Sequence, residues 1–268
     1  MKLCSLPIAA TGLFLSAAGA HAGILCTAMA DAATGKVLKK QGDGCDRRVT
    51  AASTFKIAIS LMGYDSGFLK DEHAPKLPFK QGYPDWIKSW RADTDPASWI
   101  KNSVVWYSQQ VTQSLGEDRF KHYVTAFGYG NQDVSGDPGK KDGLTRSWLS
   151  SSLKISPLEQ LSFLEKLVNR QLPVGAHAYD MTARITSLGT LPNGWEIHGK
   201  TGAGGPRAAD GNMDGRRAYG WFVGWATKDG RTVVFARLIQ NEKKEPVSPG
   251  LRARETMMRE LPGLLDSK

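Results

Sequence analysis

The chain has 268 residues and an ordinary globular composition, 41% hydrophobic and 23% charged, which excludes a disordered protein. Its formal charge of +9 reflects 35 Lys and Arg against 26 Asp and Glu, and the basic residues are scattered, as in Lys39-Lys40, Arg47-Arg48, Lys140-Lys141, Arg216-Arg217 and Lys243-Lys244. With no basic stripe and no interleaved aromatics, that charge reads as solvated surface with a preference for small anions. No nucleic-acid partner is expected.

Residues 1–22 read as a secretory signal peptide. Lys2 supplies the positive start, Leu6 to Ala18 an apolar stretch, and Ala20-His21-Ala22 a small-x-small cleavage site. The stretch is too short for a membrane span and is interrupted by Pro7, Thr11 and Gly12. Gly23-Ile24-Leu25 lacks the small residues of a lipidation signal before Cys26. The expected product is a mature chain, Gly23 to Lys268, without stable membrane insertion, in the periplasm or secreted. Nothing in the sequence fixes its oligomeric state.

Residues 24–40 predict an antiparallel hairpin turning at Thr34-Gly35-Lys36-Val37. Cys26 and Cys45 lie equally far from that turn, so they would face each other across it. They form either a bridge or a pair of buried thiols, and an oxidising compartment favours the bridge. Ala52 to Met62 predicts a buried helix with Ser53 at its start. Residues 63–100 read as loop, with Pro75, Pro78, Pro84 and Pro96; Trp86, Trp90, Trp99 and Trp106 read as packing residues. Ser103 to Leu115 and Asp118 to Phe127 carry helical spacing.

Ser156-Pro157-Leu158-Glu159 combines an N-cap serine, a proline at the first helical position and a capping-box glutamate. Leu158, Leu161, Leu164, Leu167 and Val168 follow as an apolar stripe. Trp195 to Thr201 predicts a strand. Tyr219 to Ala226 and Thr232 to Ile239 predict a hairpin around Lys228-Asp229-Gly230, and a helix closes the chain from Pro249 to Leu265. The pattern is α/β of the α+β kind. A central antiparallel sheet is built from both termini and flanked by helices, with a helical subdomain inserted over roughly 57–180.

A hydroxyl needs a neighbouring base to become a nucleophile, and Ser-x-x-Lys on a helix puts an amine one turn away. The motif occurs three times, at Ser53/Lys56, Ser98/Lys101 and Ser151/Lys154. Only Lys56 is followed by an apolar run, Ile57-Ala58-Ile59, that would bury it and disfavour its ammonium form. The other two pairs lie among polar residues and read as surface. Backbone N–H groups at the start of the Ser53 helix could stabilise an oxyanion. Lys200-Thr201-Gly202, ending a strand, offers a charge, a donor and close backbone approach to a ligand.

Together, Ser53-Thr54-Phe55-Lys56, Ser103-Val104-Val105, Tyr129-Gly130-Asn131, Trp148-Leu149, Lys200-Thr201-Gly202 and Gly250-Leu251-Arg252 resemble class D serine β-lactamases in order and spacing. The resemblance implies one β-lactamase/transpeptidase-like domain over 23–268, acting on β-lactams that carry a carboxylate. It implies acylation of Ser53, with Lys56 binding carbon dioxide as a carbamate that serves as general base. Val105, Trp148 and Leu149 would support the carbamate, Trp148 through its indole N–H. Ser103 and Lys200 would pass a proton to the leaving nitrogen, and Thr201 and Arg252 would hold the substrate carboxylate. The N–H groups of Ser53 and Ala203 would form the oxyanion hole, and Tyr129-Gly130-Asn131 would shape the site. Ala203 is smaller than the residue often found there and precedes a Gly-rich run to Arg217, so the range of β-lactams accepted stays open.

His73, His122, His177 and His198 are dispersed, so no metal site is expected. His198 reads as a structural strand residue. No Gly-x-Ser-x-Gly elbow occurs. A D,D-peptidase and a β-lactam sensor that stays acylated are the alternatives left open.

Overall fold

The structure, a computed structural model, describes residues 23–206 and 213–266. The proposed signal peptide and part of the Gly-rich run after Pro206 lie outside the described residues. In chain order the elements are β1 (Gly23–Asp31), β2 (Val37–Gln41), β3 (Val49–Thr50), a 3-10 turn (Ala52–Phe55), α1 (Lys56–Asp65), α2 (Pro96–Asn102) and α3 (Val105–Ala126). Then follow α4 (Gly143–Arg146), β4 (Lys154–Ile155), α5 (Pro157–Val168), α6 (Ala176–Thr186), β5 (Ser187–Thr190), β6 (Glu196–Gly204), β7 (Tyr219–Lys228), β8 (Arg231–Gln240) and α7 (Pro249–Asp266).

Six strands form an antiparallel sheet in the order β2-β1-β8-β7-β6-β5, so both ends of the chain contribute to it. Alternation along β7 sorts its side chains between two cores. Trp221, Val223 and Trp225 face the helices built from the middle of the chain. Phe222 and Ala226 meet Ala253, Met257, Leu261 and Leu265 of α7. Helices thus cover both faces of the sheet.

β5 pairs β6 only as far as His198, so among the described residues Gly199–Gly204 has no strand on its outer side. The 3-10 turn that carries Ser53 packs there: a Cβ on Gly202 would lie 3.1 Å from both the Ala51 carbonyl oxygen and Thr54 N. That free edge is where the site forms.

Several local expectations need correction. Helix α1 begins at Lys56, and Ser53 sits in the preceding 3-10 turn. Ser103 does not begin a helix; it caps the C-terminus of α2 in left-handed conformation (φ 57°, ψ 36°), and α3 starts at Val105. The two predicted helical stretches form one element interrupted at Gly116 (φ 75°, ψ 167°). Cys26 and Cys45 do form a disulfide, but not as cross-strand partners. The hairpin pairs Thr27 with Gln41, and the chain then turns back so that Gly44 N–H donates to the Leu25 carbonyl (2.9 Å), carrying Cys45 to the bridge. Trp90, Trp99 and Trp106 are packing residues, whereas Trp86 is 64% exposed. Ser156 caps α5 through the expected reciprocal bonds with Glu159.

Candidate active site

The residues before α1 turn tightly. Ala52, a non-glycine residue at φ 49°, lies in a sterically costly region. Its N–H donates to the Trp148 carbonyl (3.0 Å), tying the Ser53 turn to the Trp148 loop. Lys56, one turn after Ser53, has no exposed surface, and its Nζ donates to Ser53 Oγ at 3.1 Å. Burial, followed by the nearby charge of Lys200, holds the Lys56 amine well below the usual lysine range.

Ser103 comes from the α2–α3 corner. Its backbone geometry turns the hydroxyl to Lys200, whose Nζ donates to Ser103 Oγ (3.1 Å) and to the Thr201 carbonyl (3.1 Å). Burial and then Arg254 lower Lys200 to about 7. Four predicted residues thereby form two linked pairs, Ser53–Lys56 and Ser103–Lys200, with Thr201 beside the second. Thr201 is half-buried and Ala203 exposed. Ala203 pairs Gly220 on β7.

Three further residues were expected around Lys56. Val105 is buried and Leu149 half-buried, both packed into the helical core. Trp148 has no exposed surface; its ring lies 5.7 Å from that of Phe55, the neighbour of Lys56. The indole Nε1 of Trp148 is buried without a hydrogen-bond partner. Such an orphaned donor is costly unless an acceptor arrives.

The Tyr129-Gly130-Asn131 segment acts from beneath. Tyr129 is fully buried against Phe55, and Gln160 Nε2 donates to Thr54 Oγ1 (3.0 Å) and to Tyr129 Oη (3.4 Å). Asn131 Nδ2 donates to the Ser152 carbonyl (2.9 Å), anchoring the chain just after Trp148-Leu149.

Arg252 enters from the first turns of α7. A Cβ on Gly250 would lie 2.5 Å from the Gly202 carbonyl oxygen, so this end of α7 rests directly on the Lys200-Thr201-Gly202 strand. Nη2 of Arg252 donates to Asn241 Oδ1, while its Nε is buried without a partner. Sequence reasoning did not single out Asn241 or Arg254. Arg254 follows Gly250 by one helical turn, the only signal that could have placed it near β6. Asn241, at the end of β8, gives no sequence signal.

The other two Ser-x-x-Lys pairs lie elsewhere in the structure. Ser98 completes a capping box with Asp95 at the start of α2, and Lys101 is exposed. Lys154 is exposed, but the Ser151 hydroxyl is buried rather than on the surface. His198 Nδ1–H donates to the Ala183 carbonyl (2.8 Å) and the ring stacks on Trp225 (4.9 Å), a structural placement. Among the described residues no group of three His, Cys, Asp or Glu could hold a metal ion, and no helix is long and apolar enough to cross a membrane.

The structure thus holds one Ser–Lys pair with a fully buried lysine and a second whose Lys200 is close enough for its charge to act on Lys56, and comparison with known proteins gives it a family. Residues 25–262 match the penicillin binding protein transpeptidase domain family. β-Lactamase OXA-9 of Klebsiella pneumoniae is 48% identical over 247 residues, covering 91% of this chain and 89% of that protein. The chain belongs to the class D β-lactamases. The crystal structure of the class D β-lactamase OXA-427 is 49% identical, covers 90% of this chain and 98% of that one, and superposes with a TM-score of 0.84. Regulatory protein BlaR1 of Bacillus licheniformis is 30% identical over 74% of this chain, but the match spans 30% of that protein. The fold expected for a class D β-lactamase, an antiparallel sheet with helices on both faces, is the one found.

Proposed function

We propose that this class D β-lactamase hydrolyses the β-lactam ring through an acyl-enzyme on Ser53. The observation that carries the reading is the Ser53–Lys56 pair: a hydroxyl 3.1 Å from a fully buried amine whose charged form is disfavoured. A neutral amine has a lone pair to take the hydroxyl proton as Ser53 Oγ bonds the lactam carbonyl carbon. The N–H groups of Ser53 and Ala203, one on each side of the Gly202 contact, are the donors assigned to the oxyanion. When the carbon–nitrogen bond breaks, the nitrogen takes a proton from Lys200 through Ser103. Lys56 then releases the proton it took to solvent, from which Lys200 recovers its own; neutral again, Lys56 takes a proton from the water that attacks the ester carbonyl and delivers it to Ser53 Oγ as the ester bond breaks, releasing the product acid. Thr201 and Arg252 are assigned to the substrate carboxylate, a planar acceptor that suits a guanidinium fork.

Carbon dioxide as a carbamate on Lys56 Nζ would supply an anionic oxygen base next to Ser53. The residues present suit that group: a neutral amine is required, and Trp148 Nε1 is a buried donor without an acceptor. Val105 and Leu149 would wall it from water. Export to the periplasm or outside the cell, after removal of residues 1–22, belongs to the same proposal.

Turnover of a chromogenic β-lactam by the purified chain tests the reading. Ser53→Ala should abolish both turnover and acylation. Lys56→Ala should acylate slowly and persist as an adduct of increased intact mass; normal turnover by that variant would remove Lys56 as base. The likeness to BlaR1 keeps one alternative open, a sensor that stays acylated. A single stoichiometric burst from the unaltered chain would establish it.

A further inference from the structure

Asn241 joins three parts of the molecule that converge on the carboxylate end of the site. It follows β8, is 6% exposed, and engages both ends of its side-chain amide and its backbone N–H. Its Oδ1 accepts from Nη2 of Arg252, and its Nδ2 donates to the Gly215 carbonyl at 2.9 Å. Its backbone N–H donates to the Ala218 carbonyl at 2.8 Å. Gly215 and Ala218 belong to the segment that closes the Gly-rich run after β6. That segment is held at its other end by Asp214 N–H to the Pro206 carbonyl (2.9 Å) and locally by Gln240 Nε2 to the Arg217 carbonyl (3.0 Å).

Arg252 needs such a partner. Its side chain is long and has many rotamers, and binding a carboxylate in one orientation loses that freedom unless another contact has already fixed it. Gly250 fixes where α7 meets β6 but leaves the guanidinium free to rotate. Asn241 fixes Nη2, leaving the buried, unpartnered Nε as a donor for an incoming acceptor. A neutral amide suits this task, since an acidic side chain would pair with the guanidinium and compete with the substrate.

We infer that Asn241 is a positioning residue for substrate binding, holding Arg252 in its carboxylate-binding orientation and coupling it to the loop over 213–218. The inference rests on the assignment of Arg252 to the substrate carboxylate. It concerns binding alone, because Asn241 touches none of the four residues of the two Ser–Lys pairs.

The test compares one penicillin as its free acid with the methyl ester of the same compound, which keeps the lactam ring and lacks the negative charge. Asn241→Leu, similar in size and unable to hydrogen-bond, should raise KM for the acid about tenfold, the scale of one lost charged hydrogen bond, and leave kcat within about twofold. The ester should be hydrolysed equally by both proteins. Asn241→Asp, which keeps the shape but pairs with Arg252, should show the same acid-only rise in KM, and it serves if the leucine variant does not fold. An unchanged KM for the acid, or an equal rise for acid and ester, would overturn the inference. Arg252→Ala separates the two layers. If it shows no acid-specific loss, the Arg252 assignment itself fails; if it does and both Asn241 variants do not, only the positioning role fails.

Discussion

At the scale of single residues, the site depends on burying two amines and one indole together. Trp148 Nε1 has no acceptor among the described residues, yet its ring packs on Phe55 and Phe120. Trp148→Phe would keep most of that packing and delete the orphaned donor. Stability should change by less than about 1.5 kcal/mol, because a cavity is opened while an unsatisfied polar group is removed. Activity, by contrast, should fall and become dependent on added bicarbonate; a variant as active as the parent in carbon dioxide-depleted buffer would dissociate Trp148 from the carbamate. The second amine makes a pH prediction. Lys200, lowered to about 7 by burial, is an ammonium below that pH and an amine above it. As proton donor through Ser103 it must be charged, while Lys56 must be neutral, so kcat/KM should be bell-shaped with its alkaline limb near neutrality. Lys200→Arg keeps the charge but cannot titrate, and should lower activity while removing that limb. A limb unchanged in the arginine variant would assign it to another group.

At the scale of elements, the contact between α7 and β6 sets where Arg252, proposed to bind the substrate carboxylate, meets the strand. Gly250→Ala would put a methyl group 2.5 Å from the Gly202 carbonyl oxygen, both on backbone that cannot swing aside. Overpacking of this kind costs about 1–3 kcal/mol, measurable by urea denaturation, and lifting α7 should raise KM more than it lowers kcat. Equal stability and KM would mean that the helix yields without disturbing Arg252. Which elements were legible follows from how strongly each is written locally. Helix α5 carries its own cap and stripe, and the β7–β8 hairpin its alternation and turn. Helix α6 was missed because its buried face includes Thr182 and Thr186, with Thr182 bonded to Ser60 (2.9 Å). Those polar residues dilute the apolar period that reveals a helix. Helix α2 hid in a proline-rich stretch although Asp95-Pro96-Ala97-Ser98 is a capping box; missing it moved Ser103 from the end of one helix to the start of the next. The site motifs were legible as a set, since each places a chemical group. Asn241 and Arg254 were not, because their roles arise only when α7 packs against β6 and β8.

At the scale of the whole molecule, the sheet separates what stabilises from what reacts. The Cys26–Cys45 bridge staples β1 to the turn after β2 at one side of the sheet, whereas the residues proposed to react gather along the free edge of β6. Strands β8 and β7 lie between β1 and β6, and their backbones are paired along their length. A local change at the bridge therefore reaches the site only by loosening the entire sheet. The cross-link closes a loop of 19 residues in sequence separation, which limits the unfolded chain by about 3 kcal/mol. Replacing both cysteines with serine should remove about that much from the urea-denaturation free energy, less whatever the unfolded chain retains in structure. At 25 °C, well below unfolding, kcat and KM should stay within about twofold of the parent, because a destabilised but still folded population has the same site. The same variant should lose activity at a lower temperature on heating. If instead the serine variant loses activity while its sheet remains folded by circular dichroism, the two sides of the sheet are coupled and the bridge is part of the functional architecture.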